Sequence, residues 1–298
     1  MGQVAVVDGL RIHYERAGTG PPVVLLHGWP QTAHCWRHVV PKLAERHTVI
    51  APDLRGYGRT DKPVGGYDKR TVAADVSGLV RALGFDRVSV VGHDRGARVA
   101  HRWALDRPAE IDRLALLDIV PTRAMFRRDM TVARGYWHWL FHLQPDLPEL
   151  LVGDRVEEYL RWFFERWTFD RAAVDEAVEH YVTAFRRPGA LRAGFDDYRA
   201  TFPDDIEHDD ADAERGNRLQ APLLVLWGEV GLPAGLPVLE VWEEYADDVR
   251  GEELPECGHF VPEERPDLLV EHLLEFLGGR VGSGRRPSSG LVRGEAGW

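Results

Sequence analysis

The stretch Val90–Ala100 reads VVGHDRGARVA. Two apolar residues run into a glycine, a polar triplet follows, and a second glycine opens a segment of helical periodicity. Gly92-His93-Asp94-Arg95-Gly96 has the form of a sharp strand-to-helix turn that holds its central side chain, strained, above a sheet. Many such turns carry serine at the centre. This one carries Asp94, with Arg95 directly after it and Arg98 three residues further on. An Asp ahead of a helix also serves as an N-cap, so the surroundings must decide between the two readings.

Outward from the turn, short apolar runs recur. Pro22–His27, Thr48–Asp53, Val88–Val91, Leu114–Asp118 and Pro222–Trp227 are β-branched or Leu-rich and apolar on both faces, as buried parallel strands are. Val4–Val7 and Arg11–Glu15 form a hairpin pair turning at Asp8-Gly9. Helical patterns over Val72–Leu83, Gly96–Leu105, Leu236–Tyr245 and Asp267–Leu277 separate the later runs. Alternation of this kind predicts an α/β fold, a mostly parallel sheet flanked by helices. It breaks between Pro121 and Arg215, where segments such as GYWHWLFHL and EEYLRWFFERW read as helices rich in aromatic residues. The expected organisation is a core of residues 1–120 and 216–277, an inserted helical cap over 121–215, and a disordered Gly/Ser/Arg-rich tail over 278–298. The acidic stretch DDIEHDDADAE (Asp204–Glu214) reads as a solvated linker returning to the sheet.

The 298 residues carry a formal charge of −11, which argues against nucleic acid or an anionic membrane as partners. It also means that an anionic substrate must find positive charge inside its own site. No apolar run is long enough to span a bilayer, and the N-terminus shows no signal-peptide pattern, so a cytoplasmic location is expected. Cys35 and Cys257 form no disulfide framework or metal cluster and read as small buried side chains. No metal or nucleotide motif is present.

The identity of the central residue sets the chemistry. A carboxylate is a poor acylating partner, but it can displace a leaving group from an sp³ carbon and form an alkyl ester of the enzyme. Water then attacks the ester carbonyl and an alcohol leaves. The second step needs a base and an oxyanion hole. His259, in CGHF after the last strand, is the best-placed of 13 histidines. The main-chain N–H groups of Trp29, in HGW after the third strand, and of Arg95 are the expected oxyanion donors. The acid that orients His259 is commonly found just beyond the strand PLLVLWG, near Gly231, which has no side chain. Glu229 is close but early, and Asp118, ending LALLD, is preferred to it. Arg95 and Arg98 share a helix face and suit a substrate carboxylate, while also keeping Asp94 ionised. A structural salt bridge on Arg98 is the bland alternative. The chemistry needs no cofactor, and water is the second substrate.

Together HGWPQT, DLRGYG, GHDRGAR, LLDIVPT, YWHW, DYRA, IEHD, LWG and GHFVPEE resemble the fluoroacetate (haloacetate) dehalogenase family of the α/β-hydrolase fold, from about Val4 to Leu277. The resemblance implies Asp94 as nucleophile, His259 as base with Asp118 as its partner, and Arg95 and Arg98 as holders of a small anionic haloacid. It further implies that His138 and Trp139 in the cap stabilise the departing halide, and that the protein is a homodimer. One departure stands out. Where the family has a tyrosine donating to the halide, this chain has Pro203, which offers no donor. Defluorination is therefore expected to be impaired unless Tyr198 substitutes.

Two other readings remain. An epoxide hydrolase shares the Asp/His/Asp triad and needs cap tyrosines, and Tyr136, Tyr159, Tyr181 and Tyr198 are available. Against it, such enzymes usually carry Trp after the nucleophile rather than Arg95. A non-catalytic receptor of the same fold is disfavoured because all three triad positions are filled.

Overall fold

The structure is a computed structural model, and it describes residues 2–127 and 135–278. Eight strands form one sheet in the order β1-β2-β4-β3-β5-β6-β7-β8. They are β1 (Gln3–Val7), β2 (Leu10–Ala17), β3 (Pro22–Leu26), β4 (Thr48–Pro52), β5 (Val88–His93), β6 (Ile111–Leu117), β7 (Leu223–Gly228) and β8 (Val249–Leu254). β2 runs antiparallel to both β1 and β4, and the remaining neighbours are parallel. The fold class expected from the alternating pattern is the one observed.

The central strands bury both faces because helices cover both sides. Every residue of β4 and β5 is buried, and β3, β6 and β7 are nearly so. β1 and β8 lie at the edges and expose alternate residues, among them Val4 and Val6. The β1–β2 turn falls at Asp8-Gly9, both with positive φ, as a tight hairpin requires.

Between β6 and β7 the described residues are helical. The cap helices are Trp137–His142, Leu147–Val152, Val156–Trp167, Ala172–Phe185, Ala190–Arg199 and Ile206–Arg215. Their aromatic stripes pack inward, with Tyr136, Trp139, Phe163, Phe164, Tyr181, Phe195 and Tyr198 all buried. Trp29 reaches up from the end of β3 into this cluster. Its ring meets those of His142 at 4.9 Å, Phe163 at 4.8 Å and Tyr198 at 5.9 Å.

The acidic stretch is not a linker. Ile206–Arg215 is a helix whose Asp209 and Asp212 pair with Arg102 of the core helix Arg95–Asp106. Arg102 and Asp212 are buried, so the charges that suggested a solvated segment anchor the cap to the core. The tail expected to be disordered, apart from Gly278, lies outside the described residues. No helix among those described is long and apolar enough to cross a membrane.

Candidate active site

Asp94 sits where β5 ends and the helix Arg95–Asp106 begins, with φ 47° and ψ −116°. Its side chain makes no capping hydrogen bond, so the N-cap reading fails. The turn closes because position 96 is glycine. A Cβ there would lie 2.3 Å from the His27 carbonyl oxygen, too close for any other residue. The helix N-terminus supplies a partial positive charge beneath the carboxylate.

One oxygen of Asp94 is already held. The Trp29 N–H donates to its Oδ2 at 2.9 Å. Arg95 is the first residue of its helix, so its N–H has no intrahelical acceptor. Burial works against ionisation of Asp94, but the charges of His259, Arg95 and Arg98 hold its carboxyl below the usual carboxylate range.

His259 and Asp118 meet directly, with His259 Nδ1 donating to Asp118 Oδ2 at 2.6 Å. Asp118 follows β6 in a left-handed conformation, φ 55°, and also accepts from the N–H groups of Gly228 (2.9 Å) and Leu232 (3.0 Å). Gly231 lies against it, and a Cβ there would approach Asp118 Oδ1 to 2.0 Å. The carboxylate that pairs with His259 therefore follows β6 directly, and the loop after β7, without a side chain at 231, makes room for it. Glu229 is turned elsewhere, accepting from the Glu256 N–H at 2.9 Å. Burial opposes the charged form of His259, yet its hydrogen bond to Asp118 and the charges of Asp118 and Asp94 raise its pKa above the ordinary imidazole value. Its Nε2 is buried and makes no hydrogen bond among the described residues. His93 Nε2 donates to the His259 carbonyl at 2.7 Å, and burial lowers His93 to about 3, so it serves as a neutral strut.

The two arginines differ. Arg95 donates through Nε to Asp197 Oδ2 at 2.9 Å, and Nη2 reaches the Asp197 carbonyl oxygen and Oδ1. Arg98 donates through Nη1 to the Val120 carbonyl at 3.1 Å and to Thr122 Oγ1 at 2.8 Å. The buried salt bridge is thus on Arg95, and Arg98 forms none among the described residues. Each guanidinium keeps one buried N–H group without a partner among the described residues, Nη1 on Arg95 and Nε on Arg98. Trp139 stacks near both, its ring 4.9 Å from Arg95 Cζ and 4.6 Å from Arg98 Cζ.

His138 is buried, and desolvation lowers it to about 3, so it is a neutral donor. Its field includes Asp94, His259, Arg95 and Arg98. The Trp139 indole N–H, which the family resemblance would aim at a halide, is donated instead to Thr201 Oγ1 at 3.2 Å. Pro203 is exposed on the segment that joins the last two cap helices. Tyr198 is buried, with its ring 4.4 Å from Arg95 Cζ, and its hydroxyl makes no hydrogen bond among the described residues.

Sequence reading did not find Asp197, Tyr57 or Lys69. DYRA and DLRGYG drew attention to their neighbourhoods, but nothing local shows that Asp197 would meet residues 102, 128 and 140 positions away.

Comparison with known proteins accords with this geometry. The family profile described as the alpha/beta hydrolase fold matches residues 21–266. A fluoroacetate dehalogenase of Burkholderia sp is 42% identical over 281 residues, covering 91% of each chain. A soluble epoxide hydrolase of Corynebacterium sp. (strain C12) is 40% identical over 279 residues, covering 92% of this chain and 96% of that protein. A solved structure from Nostoc sp PCC 7120, named for an alpha/beta hydrolase, superposes with a TM-score of 0.90 at 43% identity, covering 93% of this chain and 97% of its own. The chain is a member of the α/β-hydrolase fold family.

Proposed function

We propose that the protein is a hydrolytic dehalogenase of small 2-haloacids that converts a haloacetate to glycolate and halide. The observation that carries this reading is the pair of buried guanidiniums beside Asp94, each with one N–H group unpartnered among the described residues. Buried cationic donors without an acceptor are costly, and an anionic ligand relieves that cost.

In the first step an oxygen of Asp94 attacks the sp³ carbon that bears the halogen. The carbon–halogen pair leaves with the halide, and an ester joins Asp94 to the acid. In the second step His259 Nε2 takes a proton from water as that water adds to Cγ of Asp94. The tetrahedral oxyanion develops on the oxygen facing the Trp29 N–H, with the Arg95 N–H as second donor. Collapse breaks the bond from Cγ to the alkoxy oxygen, which receives the proton from His259. Glycolate leaves, and the Asp94 acid gives up its remaining proton to solvent, which restores the carboxylate. His138 and Tyr198 are the donors nearest the departing halide.

An epoxide hydrolase is the second reading, favoured by the buried Tyr198 hydroxyl, unpartnered among the described residues, which could protonate an opening oxirane. Its likeness to the Corynebacterium protein is as close as that to the dehalogenase.

The test is halide release from chloroacetate and fluoroacetate by the wild type and Asp94→Ala, alongside hydrolysis of neutral and carboxylate-bearing epoxides. Halide release that Asp94→Ala abolishes supports the dehalogenase. Turnover of epoxides alone supports the second reading.

A further inference from the structure

A buried ion cluster stands behind the site, and the triad makes no use of it. Asp197, from the cap helix Ala190–Arg199, accepts from Arg95 Nε and from the Tyr57 hydroxyl, both on Oδ2, at 2.9 and 2.7 Å. Lys69, the first residue of the core helix Lys69–Ala82, places its Nζ against Asp197 Oδ1 and donates to the Tyr67 carbonyl at 3.1 Å. Asp205 accepts from the Lys69 main-chain N–H at 2.7 Å, with its other oxygen 3.6 Å from Nζ. Arg95, Asp197, Lys69, Tyr57 and Asp205 are all buried.

The charges do not cancel pairwise. If Asp197 answered Arg95 alone, the guanidinium would be neutralised from behind and would have little charge left for a ligand in front. Lys69 puts a second cation on the same carboxylate. Asp205 Oδ2 stands 3.6 Å from that cation, further than Asp197 Oδ1, so Asp197 is the lysine's nearer carboxylate. Asp197 is thereby shared between two cations, and Nη1 of Arg95 keeps no hydrogen-bond partner among the described residues.

We propose that Lys69 is a specificity-determining positioning residue, which shares Asp197 with Arg95 and so keeps Arg95 available to an anionic substrate beside Asp94. The proposal rests on the functional reading above only in taking the ligand to be a small carboxylate.

The experiment titrates acetate, and acetamide as its neutral counterpart, into the wild type, Lys69→Met, Lys69→Gln and Lys69→Met/Asp197→Asn, with binding followed by calorimetry. Lys69→Gln keeps a donor for Asp197 and guards against misfolding of the methionine variant. Loss of one unit charge at this remove is worth about tenfold in anion affinity. Both single variants are therefore expected to weaken acetate about tenfold and leave acetamide within about twofold. The double variant, which removes one charge of each sign, is expected to return acetate to within about threefold of wild type. Equal weakening of acetate and acetamide, unchanged acetate binding, no recovery in the double variant, or a wild type without preference for acetate overturns the proposal. Halide release from chloroacetate is measured on the same wild-type preparation. Its absence, with the acetate pattern intact, removes the dehalogenase reading and leaves the role of Lys69 standing.

Discussion

The main-chain N–H of Trp29 grips one oxygen of Asp94 at 2.9 Å, which makes the two oxygens of the carboxylate unequal. Oδ2 is committed to a donor suited to an oxyanion, so in the proposed mechanism Oδ1 is the oxygen that attacks carbon. That mechanism sends the attacking oxygen out in the product and leaves the oxygen from water on the enzyme.

This assignment predicts the fate of an isotope. In a single turnover in ¹⁸O-water, the alcohol released carries no label, and the peptide containing Asp94 gains one ¹⁸O. Label in the first-turnover product, read by mass spectrometry, means that water attacks the substrate directly and Asp94 is not a nucleophile. The result is independent of whether the substrate is a haloacid or an epoxide.

In the proposed mechanism His259 acts as base only after the ester has formed. His259→Gln should therefore let the first step proceed and stall the second, with multiple turnover reduced by about 10³-fold or more. Intact-protein mass should show the substrate's alkyl group on Asp94, with one equivalent of halide released in a burst. For the wild type, His259 must be neutral to accept a proton, and its pKa is raised. Ester hydrolysis should therefore fall as pH drops and His259 takes up a proton. In the ester Asp94 has lost its charge, one of the causes of that rise, so the limb lies lower for the ester than for the free enzyme. Pre-steady-state hydrolysis across pH 5–9 checks the direction.

Arg102 ties the cap to the core through Asp209 and Asp212. Removing one member of a buried ion network leaves the others uncompensated, at a cost of about 3–5 kcal/mol. Arg102→Ala should lower stability by that amount in chemical denaturation. A loss below about 1 kcal/mol would mean that the acidic helix is held by other contacts.

What the sequence disclosed and what it hid follow from the range of the interactions. Parallel strands buried on both faces announce themselves as unbroken apolar runs, and GHDRG is a local backbone requirement, so the sheet and Asp94 could both be read. Asp118 was legible because an acid closes an apolar strand, an unusual place for a charge. The helix Ile206–Arg215 was not, because its solvated-looking composition conceals a partner, Arg102, more than a hundred residues away. The same holds for Asp197 and Lys69, single polar residues whose meaning lies wholly in tertiary contact. Trp139 illustrates a third limit. Its position was legible, but the direction of its indole N–H, toward Thr201, depends on a neighbour the motif does not contain.

The leaving group supplies the sharpest prediction. Fluoride needs more hydrogen-bond help than chloride, and this site has lost two of the donors that the family resemblance implies. Pro203 has no donor and is exposed, and the Trp139 N–H is taken by Thr201. His138 and Tyr198 are left, and Tyr198 lies buried against Arg95 with its hydroxyl unpaired among the described residues. A hydrogen bond to a charged group contributes roughly 1.5–3 kcal/mol, about 10- to 150-fold in rate. Chloroacetate should therefore turn over at least about tenfold faster than fluoroacetate, and Tyr198→Phe should cost both substrates, fluoroacetate the more. If Tyr198→Phe slows the two equally, the hydroxyl acts on Arg95 or on packing rather than on the halide. If the wild type releases fluoride as readily as chloride, the site has a donor for fluoride that Pro203 and Trp139 do not provide, and the His138 ring becomes the group to test by substitution.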